Sequence, residues 1–288
     1  VTNVDPIAGM LNPMAFQQTL HMTLAAYTAT GFGVAGIHAF LLLFDRGNAF
    51  HRRALGIALL VGVPAALLQP ISGDLSAKAV ARLQPAKLAA MEAHFETGTR
   101  APLLIGGWPD PDTRETRYAI RIPGGLSFLA FGDFDAEVRG LEEFPREDWP
   151  HVPIVHTAFQ VMVALGTFLA LLSVWIAWTA WRRHDLAGNR WLLRAIAFST
   201  PMGFIAIEAG WIVTEVGRQP WTIYGVLRTA DAVTPMPGLL YPFLLFTLLY
   251  CFLGVIVAYL LYKQIVRSPR PLEWTRIYTP DAGGRGRA

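Results

Sequence analysis

Five strongly apolar runs alternate with polar segments along the 288 residues. They cover Ala15 to Phe44, Ala54 to Ser72, Pro153 to Trp181, Trp191 to Thr214 and Pro237 to Tyr262. Each is about long enough to cross the ~30 Å hydrocarbon core of a bilayer as a helix. The pattern predicts an all-α, polytopic transmembrane helix bundle. Between the second and third runs lies a long polar segment, roughly residues 73–150, which must sit outside the lipid. The chain therefore divides into helices one and two (1–72), a large loop (73–150), helices three to five (151–262) and a polar tail (263–288). Pro64 and Pro70 are expected to kink or end the second helix. Pro85 is placed to open a helix inside the loop.

Composition agrees with the pattern. The chain is 53% hydrophobic and 16% charged, with mean hydropathy +0.38, too apolar for an ordinary soluble protein. The net charge of +3 is small, so nucleic acid binding has no support. The single cysteine, Cys251, makes no intrachain disulfide and no zinc site. Where the positive charge falls is more informative. Arg46, Arg52 and Arg53 follow the first run, Arg182, Arg183, Arg190 and Arg194 surround the turn after the third, and Lys263, Arg267 and Arg270 follow the fifth. The short loop after the fourth run offers Arg218 and Arg228. By the positive-inside rule the two arginine-rich turns and the tail are cytoplasmic, and residues 1–14, the 73–150 segment and the Gly217 loop face outside. The chain starts at Val1 on a polar approach to the first helix, which reads as a fragment lacking an N-terminal part.

This topology sets the candidate chemistry. His21 lies about two turns, and Met162 about three turns, into helices entered from outside, so their depths differ by only a few ångströms. A neutral imidazole and a thioether are an axial pair for a b-type haem. No Cys-x-x-Cys-His occurs, so covalent haem attachment is excluded. On bare chemistry His38 and His156 are equally eligible, and the bland reading of Met162 is core filling. Glu208 and Glu215 are carboxylates in or at the end of an apolar helix, where ionisable groups are costly and mark function. The competing reading pairs one of them with a nearby arginine such as Arg218. In the loop, Gln84-Pro-Ala-Lys-Leu-Ala-Ala-Met-Glu92 supplies an ammonium and a carboxylate. Quinol oxidation needs such a pair, a base for the proton and a cation for the developing quinolate. At i,i+5 the two converge only near a helix end or bend. The competing reading is a solvated amphipathic helix.

These stretches together resemble the last five of the nine transmembrane helices of cytochrome bd-type quinol oxidase subunit I, of a short-loop kind. The resemblance covers nearly the whole chain. It rests on Asn12-Pro13 with His21, Gly73-Asp74, Lys87-Leu-Ala-Ala-Met-Glu92, Ile122-Pro123, Phe159-Gln-Val-Met162-Val, Glu208-Ala-Gly-Trp211 and Glu215-Val-Gly-Arg-Gln-Pro-Trp221. It implies that His21 and Met162 hold a low-spin haem b. It implies that Glu215 holds a high-spin haem b beside Trp211 and Arg218, and that Lys87 and Glu92 serve quinol. Electrons would pass through the b haems to haem d (or b), which reduces oxygen and whose own ligand lies outside this chain. Charge would be separated across the bacterial cytoplasmic membrane without a pump. The partners implied are quinol, oxygen, subunit II, a small accessory subunit and the lipid bilayer. One departure stands out: many members carry arginine where this chain has Gln160, with expected effects on the low-spin haem's potential or propionate contacts. The alternative is a non-haem transporter or scaffold bundle whose buried polar residues pair with one another. It would call for internal repeats, and no convincing repeat is present.

Overall fold

The computed structural model describes residues 6–183 and 185–266. A short helix, α1 (Pro6–Met10), precedes α2 (Ala15–Phe44) and α3 (Ala49–Leu83). The turn between α2 and α3 is short because Asn48 caps α3, its side-chain oxygen accepting from the backbone N–H groups of Phe50 (3.1 Å) and His51 (3.2 Å). Neither Pro64 nor Pro70 ends α3. The helix outlasts its apolar run by 11 residues, three turns into the polar segment, to Leu83. Asp74 and Lys78, paired at 2.7 Å one turn apart, lie on that extension. The chain then bends at Gln84, whose successor Pro85 disfavours helix at the residue before it and opens α4 (Pro85–Met91).

Beyond α4 the loop carries β1 (Gly98–Thr99), β2 (Leu103–Ile105), β3 (Trp108–Asp110), β4 (Glu115–Arg117), β5 (Ile120–Ile122), α5 (Gly125–Phe131) and β6 (Glu137–Val138). The strands form antiparallel pairs, β1 with β6, β2 with β5 and β3 with β4. These pairs are the departure from a purely helical chain. The α6 helix (Val152–Arg183) returns to the bundle, and Asn189 caps the next helix through Trp191 and Leu192. The fourth apolar run is two helices, α7 (Arg190–Phe198) and α8 (Met202–Gly217), broken around Pro201, which cannot continue a helical hydrogen-bond ladder. A hairpin of β7 (Trp221–Ile223) and β8 (Leu227–Arg228) follows.

The chain divides into two units, residues 1–233 and 234–288. In the first, α2 and α6 each pack against both α3 and α8. Bare backbone allows helices to approach closely. A Cβ on Gly31 would lie 2.5 Å from the Gly62 Cα, and one on Gly203 would lie 2.5 Å from the Ala29 Cα. Two cores result. One, around Phe32, Leu42, Leu55, Leu169, Leu192 and Ile196, joins the helices. The other joins the end of α3, α4 and the start of α6 to the loop through Leu88, Met91, Leu104, Leu126, Leu141 and Val155. The second unit holds α9 (Leu240–Val266). Among the described residues, five helical stretches are long and apolar enough to span a membrane. The tail arginines Arg267 and Arg270 lie outside the described residues.

Candidate functional site

His21, half-buried on α2, rests against α3. Its Nδ1 is 3.0 Å from the Ser72 hydroxyl, and that hydroxyl donates to the Gln69 carbonyl at 2.9 Å. A hydroxyl has one proton to give, so the bond to His21 runs the other way, from Nδ1–H to Ser72 Oγ. The tautomer is thereby assigned, and Nε2 carries the lone pair. The Gln69 amide nitrogen is 3.3 Å from Nδ1 and 3.2 Å from Nε2, and with the proton on Nδ1 only Nε2 can accept from it. Its other N–H donates to the His21 carbonyl at 3.2 Å. Gly73 leaves room for the ring, since a Cβ there would stand 3.5 Å from His21 Cε1.

Met162, on α6, turns its sulfur to α8, where a Cβ on Gly210 would come within 3.0 Å of Sδ. Its level relative to His21 follows from the packing. Successive spans alternate in direction, so α2 and α8 are antiparallel, with Ala29 set against Gly203. Toward the loop side His21 is eight residues from Ala29 (29 − 21), about 12 Å along the axis, and Gly210 is seven from Gly203 (210 − 203), about 10.5 Å. The imidazole and the thioether therefore stand at nearly one height, on two helices that share α3 and α8 as neighbours.

At the loop-side end of α8, Arg218 donates from Nε (3.0 Å) and Nη2 (2.8 Å) to a single oxygen of Glu215, Oε2, which leaves Oε1 outside the pair. Arg218 also donates to the Trp221 carbonyl at 3.2 Å. Trp211 is one turn before Glu215 and is exposed, as is Glu208. Lys87 reaches this group from α4, with its side chain against Gly217. Burial pulls its ammonium down to about 8, with the Glu215 carboxylate opposing the shift and Arg218 adding to it. The charged groups that act on Lys87 are thus Glu215 and Arg218, and Glu92 is not among them.

Glu92 sits just past the last turn of α4 and is buried. Its Oε2 has no hydrogen-bond partner, and desolvation pushes its carboxyl up to about 8. The solvated-helix reading of this stretch fails, because Ala86 and Leu88 to Met91 are all buried as well. The next residues, Ala93 and His94, line a polar pocket of ≈ 390 Å³ with Glu96, Arg114, Glu115 and Arg121.

Two residues eligible as ligands on chemistry alone are engaged elsewhere. His38 Nδ1 is 3.0 Å from His51 Nδ1. The fully buried His156 has Nδ1 2.8 Å from the Met91 carbonyl and Nε2 3.2 Å from the Gly106 carbonyl. Gln160 is also turned to the loop, accepting from the Gly106 N–H and donating to the Leu104 carbonyl, both at 3.0 Å. Sequence reasoning missed Ser72, Gln69 and Gly210. The visible signal for the first two was a pair of polar residues three apart at the end of an apolar run.

The class these observations define is a polytopic helical membrane protein with a structured loop over polar and sulfur donors held inside the bundle. The family profile for cytochrome bd terminal oxidase subunit I matches residues 1–269. The chain is 40% identical over 274 residues to the "Putative cytochrome bd menaquinol oxidase subunit I" of Bacillus subtilis (strain 168), covering 93% of this chain and 61% of that protein. It is 31% identical over 270 residues to the "Cytochrome bd ubiquinol oxidase subunit 1" of the same organism, covering 89% and 58%. The bd oxidase structure from Geobacillus thermodenitrificans superposes with a TM-score of 0.81 at 34% identity, over 93% of this chain and 62% of that one. This chain belongs to the cytochrome bd terminal oxidase subunit I family. It spans about three fifths of the length of these relatives.

Proposed function

We propose that this chain is the quinol-oxidising, b-haem-binding part of a bd-type oxidase, with the loop on the outer face of a bacterial cytoplasmic membrane. The observation that carries the reading is the hydrogen-bond chain from His21 through Ser72 to Gln69. It leaves Nε2 of His21 unprotonated, at the height of the Met162 sulfur, and a neutral imidazole oriented through its other nitrogen is what metal ligation requires. Gly73 and Gly210 keep both donors clear of neighbouring Cβ atoms. On α8, Glu215 offers Oε1 to a second haem while Arg218 holds Oε2. When bound, the b haems supply one-electron acceptors through which quinol's electrons travel toward an oxygen-reducing haem d or b ligated outside this chain.

The chain's own residues handle the protons and the substrate. Quinol gives up two electrons and two protons on becoming quinone. Glu92, with a carboxyl near 8, is a stronger base once ionised than a surface carboxylate. It passes the proton to the polar pocket that begins at the adjoining Ala93 and His94. Lys87 presents its ammonium to a ring oxygen and offsets the negative charge left as the proton departs. Release of these protons outside, with uptake for water formation from the cytoplasm, separates charge without pumping. Subunit II and a small accessory subunit complete the assembly.

Met162→Leu tests the reading, because it removes the sulfur and keeps the volume. In the assembled oxidase the low-spin haem b spectrum should convert to high-spin. An unchanged low-spin spectrum removes Met162 as a ligand.

A further inference from the structure

We propose that His156 and Gln160 are positioning residues for quinol oxidation, a latch by which one turn of α6 grips the loop backbone and fixes where Glu92 presents its carboxyl. The proposal rests on the quinol-oxidase reading above. The two side chains are four residues apart, on one face of α6. Gln160 Oε1 accepts the Gly106 N–H at 3.0 Å, and the His156 ring packs against the same residue with Nε2 3.2 Å from its carbonyl. Gln160 Nε2 also donates to the Leu104 carbonyl at 3.0 Å. The glutamine amide thus pairs with residues 104–106 much as a neighbouring strand would, while β5 pairs β2 through Leu103, Leu104 and Ile105.

The same imidazole reaches the active part of the loop. Its Nδ1 is 2.8 Å from the carbonyl of Met91, the last residue of α4, the shorter of its two carbonyl contacts and the one that takes the single N–H of a neutral ring. That carbonyl is among those a helix C-terminus leaves without an intrahelical partner. Glu92 is the next residue, and Ala93 after it is held at φ 50, a left-handed conformation that a residue with a Cβ rarely adopts. The chain direction at Glu92 is therefore set by a fixed carbonyl on one side and a constrained backbone on the other. Met162 lies two residues past Gln160, so one helix carries both the proposed haem ligand and the latch. Arginine at position 160 could donate to Leu104 but offers no acceptor for Gly106. Glutamine is the side chain this grip requires.

The test uses the complete oxidase containing this chain, with a short-chain ubiquinol and a menaquinol analogue as substrates. An artificial one-electron donor that bypasses the loop serves as the control. Gln160→Leu removes both bonds, Gln160→Arg keeps the donor alone, and Gln160→Glu keeps the acceptor and the volume. With haem content and the artificial-donor rate unchanged, the KM for quinol should rise about tenfold or more in Gln160→Leu, the scale expected for losing buried hydrogen bonds. It should rise less in Gln160→Glu and Gln160→Arg. His156→Gln, whose amide can still meet one carbonyl, should keep more quinol activity than His156→Leu. Should Gln160→Leu fail to assemble, the graded KM effect is read from Gln160→Glu. Quinol KM unchanged across the series overturns the latch alone, as does an equal fall for quinol and the artificial donor. A haem-loaded wild-type complex that oxidises no quinol overturns the functional reading itself.

Discussion

Glutamine at position 92 keeps the size and polarity of the buried side chain and removes its ability to ionise. Burial raises the Glu92 carboxyl from the usual 4.5 to about 8. The shift favours the neutral form in the folded loop by about 5 kcal/mol, at roughly 1.4 kcal/mol for each tenfold. The folded value lies above the unfolded one, so the associated stability is fully present below pH 4.5 and is lost as the pH rises toward about 8. Relative to a side chain that never titrates, the cost is about 1 kcal/mol at pH 5, about 3 kcal/mol at pH 7 and about 4 kcal/mol at pH 8. Glu92→Gln should cancel that slope. Burying the amide adds its own cost, but a constant one, so the diagnostic quantity is the change with pH. Hydrogen exchange of the amides around residues 88–95 in the assembled oxidase, variant against wild type at each pH, measures it. The difference should grow by about 3 kcal/mol between pH 5 and pH 8 in favour of glutamine. Quinol oxidation should move the opposite way. The wild-type rate should rise toward pH 8 as Glu92 ionises and fall above it as Lys87 loses its ammonium, also near 8. The variant should lose most turnover together with the rising limb. A stability difference that does not change with pH, accompanied by normal turnover, would show that Glu92 is neither a desolvated carboxyl nor the base.

Two further substitutions address the helices. Ser72→Ala removes the acceptor that holds the proton on His21 Nδ1, so low-spin haem b should bind about tenfold more weakly, read by haem titration, or show a shifted midpoint potential; an unaltered haem would mean that the serine only fills space. Gly31→Ala places a methyl 2.5 Å from the Gly62 Cα, backbone against backbone, so α2 and α3 must separate at a cost of about 1–3 kcal/mol. The yield of assembled, haem-loaded complex reads the loss, and a yield equal to wild type would mean that the helices tolerate the wider spacing.

Hydropathy locates what lipid and core demand, and it succeeds where that demand alone sets the structure. The first apolar run and α2 share the bounds Ala15 and Phe44. The second run ends at Ser72 while its helix continues to Leu83, because the last turns are stabilised by the loop core, through Val80 and Ala81, and not by the membrane. The fourth run reads as one helix since both α7 and α8 are apolar, and the break around Pro201 carries no hydropathy signal. The strands of the loop are two or three residues long, too short for alternation to register. The site divides along the same line. Donor atoms are legible one residue at a time, so His21, Met162, Glu215, Lys87 and Glu92 can be put forward as candidates from the sequence. Their partners come from distant segments and cannot.

His21 and His156 show what that difference means. Each is a histidine in the loop-side half of an apolar helix, and residue type gives no reason to prefer either as a ligand. The fold separates them by what each ring meets. His156 has a carbonyl oxygen at each nitrogen, 2.8 and 3.2 Å away; a neutral ring donates to one of them, and the other carbonyl stands where a metal would meet the lone pair. His21 has a hydroxyl at one nitrogen, and that hydroxyl's own proton is committed to the Gln69 carbonyl. An acceptor on one side fixes the proton there and leaves the lone pair on Nε2, where the Gln69 amide at 3.2 Å is the group a metal would displace. The same side chain thus becomes a brace in one setting and a prospective ligand in the other, and the deciding atoms, Ser72 Oγ and the Gln69 carbonyl, lie some fifty residues along the chain.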